Sequence, residues 1–231
     1  MPLSATEIAA NLETVRARIQ RACLAAGRTS DEVTLLAVSK TFPASAIRAA
    51  YAAGQRDFGE SYVQDWHEKR DQLTDLACIC HFIGPLQSNK TREVAESFDW
   101  VHSVDRLKIA RRLSDQRPAD LPPLNICLQV NISGEASKSG CTPQELPALA
   151  QAVASLPRLK LRGLMAVPAP ASGGTDPRLA FRQLRTLQTE LQRTGLALDT
   201  LSAGMSDDLE AAIAEGSTIV RVGTAIFGHR G

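Results

Sequence analysis

At 231 residues, with 44% hydrophobic and 22% charged side chains, the chain has an ordinary globular makeup; it is neither low-complexity nor collagen-like, and it has no apolar stretch long enough to span a bilayer. Its 26 basic and 25 acidic side chains are spread along the whole length for a formal net charge of +1, which leaves no broad basic surface for nucleic acid or anionic lipid. Any anion it binds must be held by a local site.

The segment from Met1 to Asn11 is polar and lacks a basic flank followed by an apolar run, so it does not read as a secretion signal, and a cytoplasmic protein is expected. From Ser4 to Ala26, apolar residues recur at Ile8, Leu12, Val15, Ile19 and Leu24, a helical spacing that Gly27 stops. Short apolar runs rich in β-branched residues follow: Val33 to Ser39, Asp57 to Gly59, Cys80 to Gly84, Trp100 to Val104, Leu124 to Asn131, Leu159 to Val167, Thr200 to Gly204 and Thr218 to Val222. Between them lie segments of helical composition, Ala44 to Ala53, Tyr62 to Leu73, Asn89 to Ser97, Arg106 to Gln116, Pro143 to Ser155, Pro177 to Arg193 and Asp207 to Glu215. Only a stub near Ala225 to Gly228 follows the last strand.

Strands alternating with helices imply parallel pairing through right-handed crossovers, and eight of them favour a closed barrel over an open doubly wound sheet. The expected fold is α/β, a single (β/α)8 TIM-type barrel with an extra N-terminal helix, forming one domain over residues 1–231. The stretch Pro168 to Pro177, with its Pro, Gly and Ser, reads as a loop after the sixth strand. Cys23, Cys78, Cys80, Cys127 and Cys141 form an odd set without metal-ligand spacing and read as reduced thiols, Cys78 and Cys80 on one face of a strand.

In such a barrel the chemistry sits just past the carboxyl ends of the strands. Lys40 directly follows Leu35-Leu36-Ala37-Val38-Ser39. At a partly desolvated barrel mouth an ammonium is disfavoured and a free amine can attack an aldehyde; a solvated lysine closing the strand is the alternative. Ser206 follows the seventh strand and Gly223-Thr224 the eighth, the two loops that commonly bind phosphate in barrels. Ser206 would begin a helix, as a phosphate ligand or simply as its N-cap, while Gly223 permits close backbone approach and Thr224 adds a donor. Barrel closure would bring Arg221 beside Lys40, where a permanent cation next to a pyridine nitrogen would keep that nitrogen unprotonated; the alternative is an arginine paired with a barrel carboxylate.

Val38-Ser39-Lys40, Phe58-Gly59-Glu60-Ser61-Tyr62-Val63-Gln64, His81-Phe82-Ile83-Gly84-Pro85-Leu86-Gln87-Ser88-Asn89-Lys90, Ser202-Ala203-Gly204-Met205-Ser206-Asp207-Asp208 and Arg221-Val222-Gly223-Thr224-Ala225-Ile226-Phe227-Gly228 closely resemble the pyridoxal phosphate homeostasis proteins, also called proline synthase co-transcribed homologues. The likeness runs in order from about Val33 to the C-terminus. It implies a barrel similar to the N-terminal domain of alanine racemase, with pyridoxal 5′-phosphate (PLP) held as a Schiff base on Lys40, phosphate on Ser206, Gly223 and Thr224, and Arg221 facing the pyridine nitrogen. Asn131 and Met165 match family positions near the cofactor, Met165 being equally suited to core packing. Ser61 stands where the family usually has Asn, so any contact with the cofactor there would run through water. His81 adjoins the third strand and suits a hydrogen-bonded structural role, whereas Lys90 could reach an anion or water.

The function expected from the resemblance is a PLP carrier that stores or delivers the cofactor, with PLP-dependent apoenzymes as its partners and without robust catalysis; members are often monomeric. A PLP-dependent amino-acid racemase is the alternative, but alanine racemase carries a further β domain that supplies an acid on the opposite face, and a chain ending at Gly231 is expected to lack it. Independently of the resemblance, a lysine and two phosphate loops would also suit a Schiff-base aldolase acting on a sugar phosphate.

Overall fold

In a computed structural model that describes residues 3–134, 139–168, 176 and 178–228, eight strands close into a parallel barrel in sequence order. They are β1 (Thr34–Val38), β2 (Asp57–Glu60), β3 (Ile79–Phe82), β4 (Trp100–Val104), β5 (Leu124–Gln129), β6 (Leu159–Met165), β7 (Thr200–Ser202) and β8 (Ile219–Val222). Closure is made by β8 against β1, with Leu36 opposite Arg221 and Ala37 opposite Val222. The open-sheet alternative is thereby excluded. Of the Pro168 to Pro177 stretch expected as a loop, residues 169–175 and 177 lie outside the described residues.

The opening helix α1 (Ala5–Ala25) starts at a capping box in which Ser4 and Glu7 bond each other's backbone, and the chain leaves it through Gly27 at φ +68°. Its apolar stripe of Ile8, Leu12, Val15 and Ile19 is buried. Each such side chain contributes about 1.5–3 kcal/mol by leaving water. The helices that follow the strands are α2 (Ala44–Ala52), α3 (Val63–Arg70), α4 (Thr91–Ser97), α5 (Leu107–Gln116), α6 (Leu146–Ala154), α7 (Arg178–Arg193), α8 (Leu209–Ala214) and the four-residue α9 (Thr224–Phe227). Helix α1 packs against α2, α8 and α9, covering the place that a full-length eighth helix would fill.

Element ends differ from the sequence expectations where local chemistry intervenes. The seventh strand was expected to reach Gly204 but stops at Ser202, because Gly204 at φ +95° turns the chain out of the extended region. A side chain at Gly204 would also place its Cβ 2.6 Å from that of Ala212. The sixth helix begins at Leu146 rather than Pro143, since Thr142 and Glu145 bond each other's backbone N–H and hold the intervening residues in a turn. Cys78 precedes β3 and is half-buried, so it does not share a strand face with buried Cys80; all five cysteines are free thiols. No helix among the described residues is long and apolar enough to cross a membrane.

Candidate functional site

The end of β1 is held at every polar atom of Ser39. Its N–H donates to the Gly59 carbonyl (3.0 Å), and its carbonyl accepts from the Phe42 N–H (3.0 Å) and from Lys69 Nζ (3.1 Å). Its hydroxyl donates to Glu60 Oε1 (2.6 Å), which also accepts from Lys69 Nζ (2.8 Å). Glu60 and Lys69 are both buried, and Glu60 Oε2 has no hydrogen-bond partner. Burial pushes the Glu60 carboxyl above the usual carboxylate range, although Lys69 and the Ser39 hydroxyl pull the other way. The turn from Ser39 to Phe42 carries Lys40, and the residue after it, Thr41, sits at φ +68°, a left-handed conformation uncommon for a β-branched residue.

Lys40 opens on a cavity of about 780 Å³ at the carboxyl ends of the strands, a size suited to a small-molecule site. Six of the eight residues named from sequence line it: Lys40, Ser61, Ser206, Arg221, Gly223 and Thr224. The other two do not. Met165 is a buried core residue at the end of β6, paired in register with Ser202, and Asn131 follows β5 with its N–H donating to the Cys141 carbonyl.

The loops after β7 and β8 reach the cavity by different means. Ser206 does not begin a helix: α8 starts at Leu209, because Asp208 Oδ1 accepts from the Met205 N–H (2.6 Å) and winds residues 205–208 into a turn first. Ser206 therefore presents its hydroxyl from a turn, without the helix N-terminus expected behind it. Gly223 is pressed against the end of β1, where a Cβ would lie 3.2 Å from the Val38 carbonyl oxygen, and Thr224 opens α9 directly beside it.

Among the described residues, no carboxylate pairs with Arg221. Its Nη1 donates to the Ser202 carbonyl (2.7 Å) and hydroxyl (2.8 Å), and its Nη2 donates to the Ala166 carbonyl (2.9 Å). Burial pushes its pKa down to about 10, which leaves it cationic at neutral pH. His81 is hydrogen-bonded, as its position next to the third strand suggested, to Asp57 and to His102. Lys90 pairs with Glu93 (2.9 Å) and does not line the cavity.

Sequence reasoning missed Arg18, which lines the cavity from α1 and donates from Nη2 to the Ser206 carbonyl (3.0 Å), while its Nε bonds Glu210 (3.0 Å). The available signal was its place three residues after Val15, at the edge of the apolar stripe of α1.

Comparisons with known proteins agree with the barrel fold. Residues 5–231 match the family described as alanine racemase, N-terminal domain. A protein of Pseudomonas aeruginosa named pyridoxal phosphate homeostasis protein is 64% identical over 223 residues, 96% of each chain, and one of the same name from Escherichia coli K12 is 58% identical over 97% of each. Among solved structures, PipY of Synechococcus elongatus with PLP bound is 40% identical, with a TM-score of 0.84 over 96% of this chain and 100% of its own. An alanine racemase of Clostridium difficile shares the fold alone, at 13% identity and a TM-score of 0.76 over 97% of this chain and 57% of its own.

Proposed function

The chain belongs to the pyridoxal phosphate homeostasis protein family, within the wider group defined by the alanine racemase N-terminal domain, and on that premise we propose that it binds PLP through the Lys40 amine and stores or delivers it without robust turnover. The observation that carries this reading is the cavity itself, which gathers one amine, the Ser206 and Thr224 hydroxyls, and a buried permanent cation, Arg221.

Those donors suit PLP. Lys40 supplies a nucleophilic amine for an aldehyde. Ser206 and Thr224 supply hydroxyl donors for a phosphate, with Gly223 admitting close backbone approach and the Arg18 guanidinium adding positive charge at the same wall. Ser61 is a minor contributor whose short side chain reaches a ligand through water. Met165 and Asn131, matched to family positions near the cofactor, lie outside this cavity lining. When bound, PLP supplies an aldehyde and an electron-accepting ring. Arg221 beside the ring nitrogen would hold it unprotonated, which weakens that acceptance and favours retention over carbanion chemistry.

Racemisation needs a positioned acid–base pair. Among the described residues lining the cavity, Asp207 is the one carboxylate, and there is no tyrosine or histidine. This favours a carrier over a racemase; we further propose that it is a monomeric PLP-binding barrel over residues 1–231, working in the cytoplasm, where its five free thiols would stay reduced. Its acceptors would be PLP-dependent apoenzymes.

The visible spectrum of the purified protein before and after borohydride, followed by peptide mass analysis, tests the reading. The expected result is a visible band lost on reduction, PLP fixed at Lys40, and no fixation in Lys40→Ala. A colourless protein that takes up no added PLP would overturn it. Interconversion of alanine or serine enantiomers, lost in Lys40→Ala, would replace the carrier role with the racemase.

A further inference from the structure

Five polar side chains, Asp57 on β2, His81 on β3, His102 on β4, Ser202 on β7 and Arg221 on β8, are joined end to end through the barrel. His81 Nε2 lies 3.0 Å from Asp57 Oδ1, His81 Nδ1 2.9 Å from His102 Nε2, His102 Nδ1 2.7 Å from Ser202 Oγ, and Arg221 Nη1 2.8 Å from the same Oγ. Strands β4 and β7 are not neighbours, so the bond from His102 to Ser202 crosses the barrel interior. His81, His102, Ser202 and Arg221 are buried. Asp57 opens β2 at the amino end, and it borders a second cavity of about 660 Å³ on the floor of the barrel, opposite the mouth.

The chemistry of the two ends fixes the outer links, and with both rings neutral the inner links follow from them. A carboxylate only accepts and a guanidinium only donates. Asp57 therefore takes the Nε2 proton of His81. A neutral His81 then accepts at Nδ1 from the Nε2 proton of His102, and a neutral His102 accepts at Nδ1 from the Ser202 hydroxyl, whose oxygen accepts from Arg221. Burial, then the neighbouring His81 and Arg221, hold His102 well below the usual histidine range, in keeping with the neutral ring. In this arrangement both rings carry their proton on Nε2, and all four bonds run from Arg221 toward Asp57.

Barrel interiors are ordinarily filled by branched apolar side chains, whose packing needs no hydrogen-bond partner. The polar column here replaces that packing with a continuous connection between two faces. We infer that it is a positioning relay, which fixes the guanidinium of Arg221 from the opposite face of the barrel and, given the PLP reading above, the nitrogen side of the bound ring.

Of the acceptors holding Arg221, the Ser202 and Ala166 carbonyls are fixed, whereas the Ser202 hydroxyl, which accepts from Arg221 in either arrangement, can turn its own proton toward or away from His102. In the reversed column His81 carries hydrogen on both of its ring nitrogens. That moves the His102 proton to Nδ1 and turns the Ser202 hydroxyl into an acceptor from both His102 and Arg221. The other ionisable groups bearing on the column are Cys127 and Asp208, through Arg221; Trp100 stacks on His81, with Arg162 over the Trp100 ring.

Nitrogen-15 NMR of the histidines in the unaltered protein reads the column directly: both rings are expected to be Nε2-protonated at neutral pH, and a proton on Nδ1 of either would overturn the relay. Asp57→Asn, on the floor and away from the Lys40 cavity, removes the acceptor-only end while keeping its shape. It is expected to shift the visible band of bound PLP and weaken PLP binding about 3- to 10-fold, the range of one hydrogen bond. Ser202→Ala cuts the column, so adding Asp57→Asn to it should change nothing further. An unchanged band and affinity in Asp57→Asn would overturn the relay. If the unaltered protein takes up no PLP, the proposed function fails instead, and the histidine tautomers still decide the relay.

Discussion

Lys40, just past the end of β1, and Arg221, on the adjoining β8, share one barrel mouth, yet they are held by opposite means. On the Lys40 side the support is ionic: a buried Glu60–Lys69 pair clamps Ser39, with one carboxylate oxygen left unsatisfied and the strained Thr41 next in the chain. On the Arg221 side it is a column of imidazole rings and a hydroxyl, linked by hydrogen bonds. An ion pair in low dielectric holds one point of backbone stiffly but fails badly when either partner is lost. A neutral column holds less firmly and can carry a change of proton position from one end to the other. The difference suits the two tasks: the lysine needs a fixed root, and the arginine needs a fixed orientation.

The largest test breaks the ionic side. Lys69→Met leaves Glu60 buried without its cation and should destabilise the protein by about 3–5 kcal/mol in chemical denaturation. Glu60→Gln added to it should recover most of that loss. A cost below about 1 kcal/mol, the worth of an exposed pair, would show that the clamp is not ionic.

The two sides should also respond to pH with opposite signs. His102 has a folded pKa below its unfolded value of 6.5, so the stability present above that pH is lost as pH falls and the unfolded chain takes a proton the folded one refuses. The loss should approach about 1.4 kcal/mol per pH unit below roughly 6.5 and disappear in His102→Gln. Glu60 has a folded pKa above its unfolded value of 4.5, so its contribution is present below 4.5 and lost as pH rises through the folded value. Denaturant midpoints measured from pH 4 to 8 in the two Gln variants should show slopes flattened in opposite directions; changes of the same sign would erase the distinction.

The smallest effects concern backbone. Thr41→Gly relieves the left-handed conformation and should raise stability by about 0.5–1 kcal/mol after the entropy cost of a glycine, while weakening PLP retention by loosening the root of Lys40. Gly223→Ala, on the other side, sets a Cβ 3.2 Å from the Val38 oxygen and should cost about 1 kcal/mol, read as a lowered melting temperature.

The barrel was legible because each strand is a compact apolar run bounded by helical composition, and period survives in sequence without any knowledge of partners. Lys40 was legible because it ends such a run, and Ser206, Gly223 and Thr224 because they follow two others. Ser206 as a helix start was not right, since Asp208 takes the Met205 N–H and forms a turn that composition does not announce. Arg18 went unseen because its place at the edge of the α1 apolar stripe does not by itself tell an arginine facing solvent from one folded over a barrel mouth. His102 and Ser202 went unseen because each sits in a strand of otherwise unremarkable pattern, 100 residues from its partner.

The sequence by itself determined the alternation, the barrel it implies, the lysine at the end of its first strand and the family those motifs share. The tertiary structure alone decided which polar residues meet. Closing β8 onto β1 set Arg221 on the Lys40 cavity, as barrel closure had led one to expect, but only closing the whole ring pointed His81, His102 and Ser202 into one column. The reason is that strand periodicity is a property of neighbours in the chain, whereas a hydrogen bond across a barrel depends on register and curvature summed over every strand between.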